Sequence, residues 1–205
     1  MSRTLKKDEK FGVLYELKDE LPEEFKPNML ILPKTIIEEK TLKKDRKYWE
    51  NLSSNYFNAG KTAYEKKDYK TAINEFTKNL SLHANLYGED DIGLSNIFFS
   101  LGSAFLGEQN YHRARDCYGT AARILKASEL TSPKTFSVAL KKERIKMEYY
   151  QAFSAKKYMD LDETTECLNN LLIYANETPM VTTKESPYIE KSVTLLLSMK
   201  NKNKI

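Results

Sequence analysis

The chain has 205 residues and a mass of 23.8 kDa, with 40% hydrophobic and 30% charged residues, the balance of a folded globular protein rather than a disordered one. Its 33 basic and 29 acidic residues are interspersed and leave a net charge of +4, which argues against the concentrated basic face or arm of a nucleic-acid binder. Seven Gly and six Pro are too few for the many tight turns of an all-β fold, and no apolar stretch approaches a membrane span.

In chain order, residues 1–35 come first and differ from the rest. Pro22, Pro27 and Pro33 punctuate two short apolar runs, 11–17 and 29–32, and proline at this spacing prevents a long helix. An extended or partly disordered arm is expected there. Two readings of it stay open: a solvated tail, or an arm that lies along a neighbouring protein with the apolar runs as anchors. The charged stretch 1–10 is not followed by an apolar signal core, so a cytoplasmic location is expected. A helix is expected to begin near Thr35 and to run through Trp49 into the following segment.

Residues 36–128 contain an internal repeat. Residues 53–83 align without gaps on 95–125, a step of 42. Gly60 falls on Gly102, Tyr69 on Tyr111, Ala72 on Ala114 and Phe76 on Tyr118, so small residues meet small ones and rings meet rings. Within the first copy, Tyr56, Gly60 and Ala63 recur at helical spacing; the period breaks at residues 66–69, then resumes with Ala72, Ile73, Phe76 and Leu80. That pattern predicts two antiparallel helices joined by a short turn. Gly60 and Ala72 are expected where the helices cross, since small side chains there let two backbones approach, with Tyr69 and Phe76 filling the space beside them. Between the copies, Gly88 is expected to end one helix and Asp90 or Asp91 to cap the next.

Residues 129–178 are a weaker copy. At the same step Gly102 would fall on Arg144, but at a step of 50 the positions of Ala152, Leu161, Thr164, Leu168 and Leu171 fit. A degenerate third hairpin is expected from helices over 134–157 and 161–176, with Pro133 at the start of the first. Residues 179–205 are expected to hold a capping helix over 187–199, carrying Ile189, Val193, Leu196 and Leu197, followed by a basic tail with Lys200, Lys202 and Lys204.

Chemistry-bearing patterns are sparse. The two histidines, His83 and His112, and the two cysteines, Cys117 and Cys167, form no metal-binding or nucleophile motif. Leu94 stands where a phosphate-binding loop would need Lys. The expectation is therefore no enzyme, no metal, no cofactor and no small-molecule substrate.

The segments Gly60-(x3)-Tyr64-(x3)-Asp68-Tyr69-(x2)-Ala72-(x3)-Phe76 and Leu101-Gly102-(x2)-Phe105-(x4)-Asn110-Tyr111-(x2)-Ala114-(x3)-Tyr118-(x2)-Ala121 resemble tetratricopeptide repeats. The 42-residue step, with Tyr87-Gly88-Glu89-Asp90 between the copies, is similar to the long repeats of the kinesin light chain subclass. The resemblance implies an all-α fold: a short tetratricopeptide-like solenoid of antiparallel hairpins with an irregular N-terminal arm. It also implies a concave groove lined by the first helix of each hairpin. Carried over residue by residue, the groove positions are Ser54, Phe57, Lys61, Tyr64 and Glu65 in the first copy. They are Asn96, Phe99, Ser103 and Leu106 in the second, and Lys146, Tyr149, Phe153 and Lys157 in the third. The carboxylate clamp of chaperone-binding members is not expected, because Phe57 and Ser100 occupy two of its places and Lys146 alone fits.

The function implied is a cytoplasmic scaffold or adaptor that binds one or more proteins through groove and arm as a subunit of a larger complex. A cytoskeletal, motor-associated or ciliary axonemal setting is expected from the long repeats. The alternatives are an RNA-associated helical-repeat protein and the regulatory subunit of an enzyme complex.

Overall fold

The computed structural model describes residues 45–202 apart from 90, 159, 179, 180 and 185, with side chains as far as Met199. The N-terminal arm, the helix start near Thr35, the Asp90 cap and the end of the basic tail lie outside the described residues. Among those described, seven α-helices and no strand are found: α1 (Arg46–Glu65), α2 (Tyr69–Tyr87), α3 (Gly93–Gly107), α4 (Tyr111–Thr131), α5 (Val138–Lys157), α6 (Leu161–Asn176) and α7 (Pro187–Lys202). The architecture is all-α, built as a tetratricopeptide-like helical repeat. The chain divides into two compact units, one ending at Leu94 and the other beginning at Ser95.

In the first unit α1 and α2 form an antiparallel hairpin. Its turn leaves the helix through Lys67, whose φ of 61° lies in the left-handed region. The Asp68 N–H returns to the Ala63 carbonyl at 3.0 Å, and the Asp68 carboxylate accepts the Thr71 N–H at 3.2 Å. One end of α1 is thereby closed and the start of α2 capped. At the crossing, a Cβ on Gly60 would stand 2.6 Å from the Phe76 ring, so only a hydrogen fits. Ala72, Phe76 and Leu80 are buried around it. Asn79 reaches across to donate to the Ser53 carbonyl and hydroxyl at 2.7 and 2.8 Å. The single tryptophan, Trp49, sits on α1 with its ring edge-on to Tyr48.

Gly88, at φ 94°, ends α2. The Asp91 carboxylate accepts the Gly93 N–H at 2.8 Å and meets His83 Nε2 at 2.8 Å. It thus caps the first turn of α3, and His83 is committed to this carboxylate.

The second unit repeats the same construction in α3 and α4. Gln109 takes φ 62°, the Asn110 N–H returns to the Phe105 carbonyl at 2.9 Å, and the Asn110 side chain accepts the Arg113 N–H at 3.3 Å. A Cβ on Gly102 would lie 2.9 Å from the Tyr118 ring, with Ala114 and Tyr118 fully buried. The α5–α6 turn follows suit. The Asp160 N–H reaches the Ala155 carbonyl at 3.0 Å and its carboxylate accepts the Glu163 N–H at 2.9 Å. Here Ala152 and Leu168 take the crossing, both fully buried and joined by Met199 of α7. A methyl replaces the glycine hydrogen and a leucine replaces the ring, so the volume is exchanged across the crossing.

The α4 helix ends at Thr131, and one expected helix start is corrected. Pro133 does not open α5; it sits in the preceding turn, and α5 begins at Val138, where the Ser137 hydroxyl accepts the Leu140 N–H at 3.3 Å. A capping hydroxyl satisfies an otherwise orphaned donor, which proline cannot do. Pro187 does occupy the first position of α7, where its missing N–H costs nothing.

Three helices are joined by a half-buried ionic network. Arg144 on α5 donates to Glu129 on α4 at 2.8 Å and to Glu148 at 2.9 Å. The Tyr174 hydroxyl of α6 donates to Glu129 at 2.7 Å, and its ring lies 3.6 Å below the Arg144 guanidinium. Arg115 links α4 to Glu163 of α6 at 3.0 Å.

Both cysteines are free thiols. Burial, with Asp116 adding to it, pushes Cys117 far above the ordinary thiol range, and burial followed by Glu163 and Glu166 raises Cys167 to about 12. At pH 8 the Cys167 thiolate share is about one in ten thousand. A colorimetric thiol reagent at that pH should therefore register almost no thiol in the native protein and two after unfolding. The Gly102→Leu variant tests the crossing: overpacking against Tyr118 should cost roughly 3 kcal/mol, read as a lowered midpoint in circular dichroism melting. An unchanged midpoint would show that the α3–α4 crossing is not as described.

Candidate functional site

In the second unit the first helix of each hairpin brings rings to one face. On α5, Lys146, Tyr149, Tyr150 and Phe153 fall at steps of three and four, one stripe of the helix. Tyr149 and Phe153 stack at 6.2 Å with 27° between planes. Phe99 of α3 meets Tyr150 edge-on at 5.7 Å, and both touch Tyr118, at 5.3 and 5.2 Å. From α7, Tyr188 reaches Tyr149 at 5.4 Å and Tyr150 at 5.7 Å. Offset and edge-to-face pairs at these distances are the favoured ring geometries.

The result is a row, Phe99, Tyr150 and Tyr188, contributed by α3, α5 and α7 in turn. Each end carries an ammonium: Lys146 stands 4.2 Å from the Phe99 centroid and Lys191 5.0 Å from the Tyr188 centroid, both within cation–π range. Lys157 stands over Phe153 at 5.6 Å. Lys146 also pairs with Glu143 at 3.1 Å. Burial first, then the Tyr188 phenol, raises the Tyr150 hydroxyl above its ordinary range, while the nearby Lys191 and Lys146 ammoniums pull it back. Burial likewise raises Tyr149. α3 carries no charged residue at all.

The remaining expected groove positions are placed as follows. Asn96 is exposed and Leu106 half-buried. Ser103 is spent within the fold, donating to the Phe99 carbonyl at 3.0 Å and accepting from the Tyr118 hydroxyl at 3.1 Å. In the first unit Ser54, Lys61, Tyr64 and Glu65 are exposed along α1. Phe57 is half-buried against Phe76 at 5.7 Å, and Tyr64 leans on Tyr69 at the same distance. Of the positions singled out in the sequence, the second unit therefore brings together Phe99, Lys146, Tyr149, Phe153 and Lys157. Tyr150, Tyr188 and Lys191 were not among them. The Tyr149–Tyr150 doublet and the spacing from Lys146 to Tyr150 were a readable signal for the first; the other two join only because α7 folds back on α5.

Among the described residues no helix is long and apolar enough to cross a membrane. No curated protein and no solved structure matched the chain. Residues 51–127 match the tetratricopeptide repeat family. That segment covers the hairpins α1–α2 and α3–α4, and the match supports a tetratricopeptide repeat family for it, leaving α5 and α7 of the ring face outside.

Proposed function

We propose that this protein is a non-catalytic docking scaffold that holds partner proteins on the face made by α3, α5 and α7. Tetratricopeptide repeats generally mediate protein–protein interaction, and the family is typically non-catalytic. The observation that carries the reading for this chain is the run of rings across three helices. Large, half-buried aromatic side chains with a polar tip are the residues that dominate binding at protein interfaces. The first-unit positions Ser54, Phe57, Lys61 and Tyr64 are a second candidate surface, on α1.

The 42-residue step between the first two copies supports a place among long repeats of the kinesin light chain kind, and with it a cytoskeletal, motor-associated or axonemal setting in the cytoplasm. The N-terminal arm is proposed to add contacts to a neighbour. RNA association and attachment to an enzyme as its regulatory subunit are the rival readings.

Affinity purification of a tagged copy, with and without Tyr149→Ala/Phe153→Ala, tests the scaffold reading. Stoichiometric partners should be captured by the parent chain and lost from the double variant, while the helical melting profile is retained. Partners kept by the variant would move binding off this face. Recovery of RNA in place of protein, with steep loss on raising salt, would favour the rival. A tagged copy with no cytoskeletal neighbours by proximity labelling would remove the proposed setting.

A further inference from the structure

Three of the six prolines directly follow a hydroxyl residue: Ser132-Pro133, Thr178-Pro179 and Ser186-Pro187. A serine or threonine before proline is the minimal substrate pattern of the proline-directed protein kinases, which require at the next position a residue with no N–H to satisfy. Local sequence does not choose among the three; the fold does. Ser186 is 2% exposed and Thr178 4% exposed, and the main chain of each is held. The Ser186 N–H donates to the Thr182 carbonyl at 2.9 Å and its carbonyl accepts the Ile189 N–H at 3.2 Å. The Thr178 N–H donates to the Ala175 carbonyl at 3.2 Å and its carbonyl accepts the Val181 N–H at 2.9 Å. Neither hydroxyl can enter a kinase cleft while the α6–α7 connection stays folded.

Ser132 differs in each respect. It stands between α4 and α5, with residues 131–135 all exposed and Phe136 the next buried side chain. Its backbone has left the helix, at φ −139° and ψ 58°. Its carbonyl holds the turn by accepting the Thr135 and Phe136 N–H groups at 3.1 and 3.2 Å, while its hydroxyl has no partner among the described residues. Opening the turn into the extended form that a kinase cleft accepts costs these short-range bonds. The setting is also electrostatically one-sided. α4 has no basic residue in its last turn, and its terminal carbonyls are the negative end of the helix dipole. Glu129 lies in that same stretch, and Lys141 of α5 is already paired with it at 3.5 Å.

We propose that Ser132 is a phosphorylation site for a proline-directed serine/threonine kinase, and that the phosphate loosens the carboxyl end of α4. The Ser132 hydroxyl gives its proton to the kinase's base and its oxygen bonds to the γ-phosphorus of ATP. The bond from that phosphorus to the bridging oxygen breaks and ADP leaves. A charge of about −2 then stands at the negative end of α4, opposed by both the dipole and Glu129. The site uses none of the residues of the docking face, so the two stand or fall separately.

The probe is a cyclin-dependent kinase with MgATP, given the full native chain and, as unfolded controls, short peptides spanning each of the three steps. The native chain should take up one phosphate, mapped to Ser132 by fragment masses, while the peptides for Thr178 and Ser186 accept phosphate that the native chain refuses there. Ser132→Ala and Pro133→Ala should each abolish uptake by the native chain. In the phosphorylated chain, amide hydrogen exchange at residues 130–132 should be severalfold faster, with a difference that shrinks as salt rises.

A native chain that takes no phosphate would overturn the site. Phosphate found on Thr178 or Ser186 of the native chain would overturn the selection by burial, and uptake kept by Pro133→Ala would overturn the role of the proline. Exchange that is unchanged or slower would overturn the loosening, the phosphate then being held by Lys134, Lys141 or the amino end of α5.

Discussion

The close approach of two backbones at a glycine, filled by a ring from the opposite helix, is the constraint on which the rest of this protein hangs. Gly60 faces Phe76 and Gly102 faces Tyr118 with no room for a methyl on either glycine. A glycine inside a helix costs about 1 kcal/mol relative to alanine, and the packing it permits returns that. In the second unit the same ring does more. Tyr118 fills the crossing on one side, hydrogen-bonds Ser103, and supports Phe99 and Tyr150 on the other. The geometry of the outward face is thus set from within by the helix crossing, so the face is preorganised on rigid elements rather than carried by loops.

The third hairpin keeps the plan while changing its parts. Ala152 with Leu168 replaces glycine with tyrosine, and the change is coherent only because both partners moved together. What is lost in ring packing is accompanied by the Arg144, Glu129, Glu148 and Tyr174 network, which binds α4, α5 and α6. Such a network is weak evidence of net stability; its contacts run from α5 to both α4 and α6. Arg144 occupies the place that a 42-residue step would have given to the crossing glycine. The longer step comes mainly from the helices themselves, since α5 (Val138–Lys157) outruns α3 (Gly93–Gly107) and α4 (Tyr111–Thr131) outruns α2 (Tyr69–Tyr87).

Features decided by a few neighbouring residues were readable in advance. Asp68 and Asn110, which precede the matched tyrosines of the two repeat segments, share a capping role. The crossing glycines and the buried alanines followed from side-chain size, and the helix stop at Gly88 from the positive φ that glycine adopts readily. The start of α5 was misplaced because a proline is a permissive helix opener and Ser137, a better cap, stood four residues further on. Half of the ring face escaped for a different reason. Tyr188 and Lys191 lie 38 and 41 residues after Tyr150, and nothing in the local pattern of α7 says which earlier helix it will cover. Ser103 is half-buried and its hydroxyl is engaged by Tyr118, a pairing set by the crossing and not by spacing along α3.

The placement of Trp49 has a practical consequence. It is the only indole in the chain and it belongs to the first unit, on α1 beside Tyr48. The second unit holds the interlocked phenols instead. Emission excited at the red edge of the aromatic band therefore follows the surroundings of this one residue of α1. Followed beside backbone dichroism, which sums over every helix, the indole shows without an attached dye whether α1 melts with the rest of the protein or apart from it.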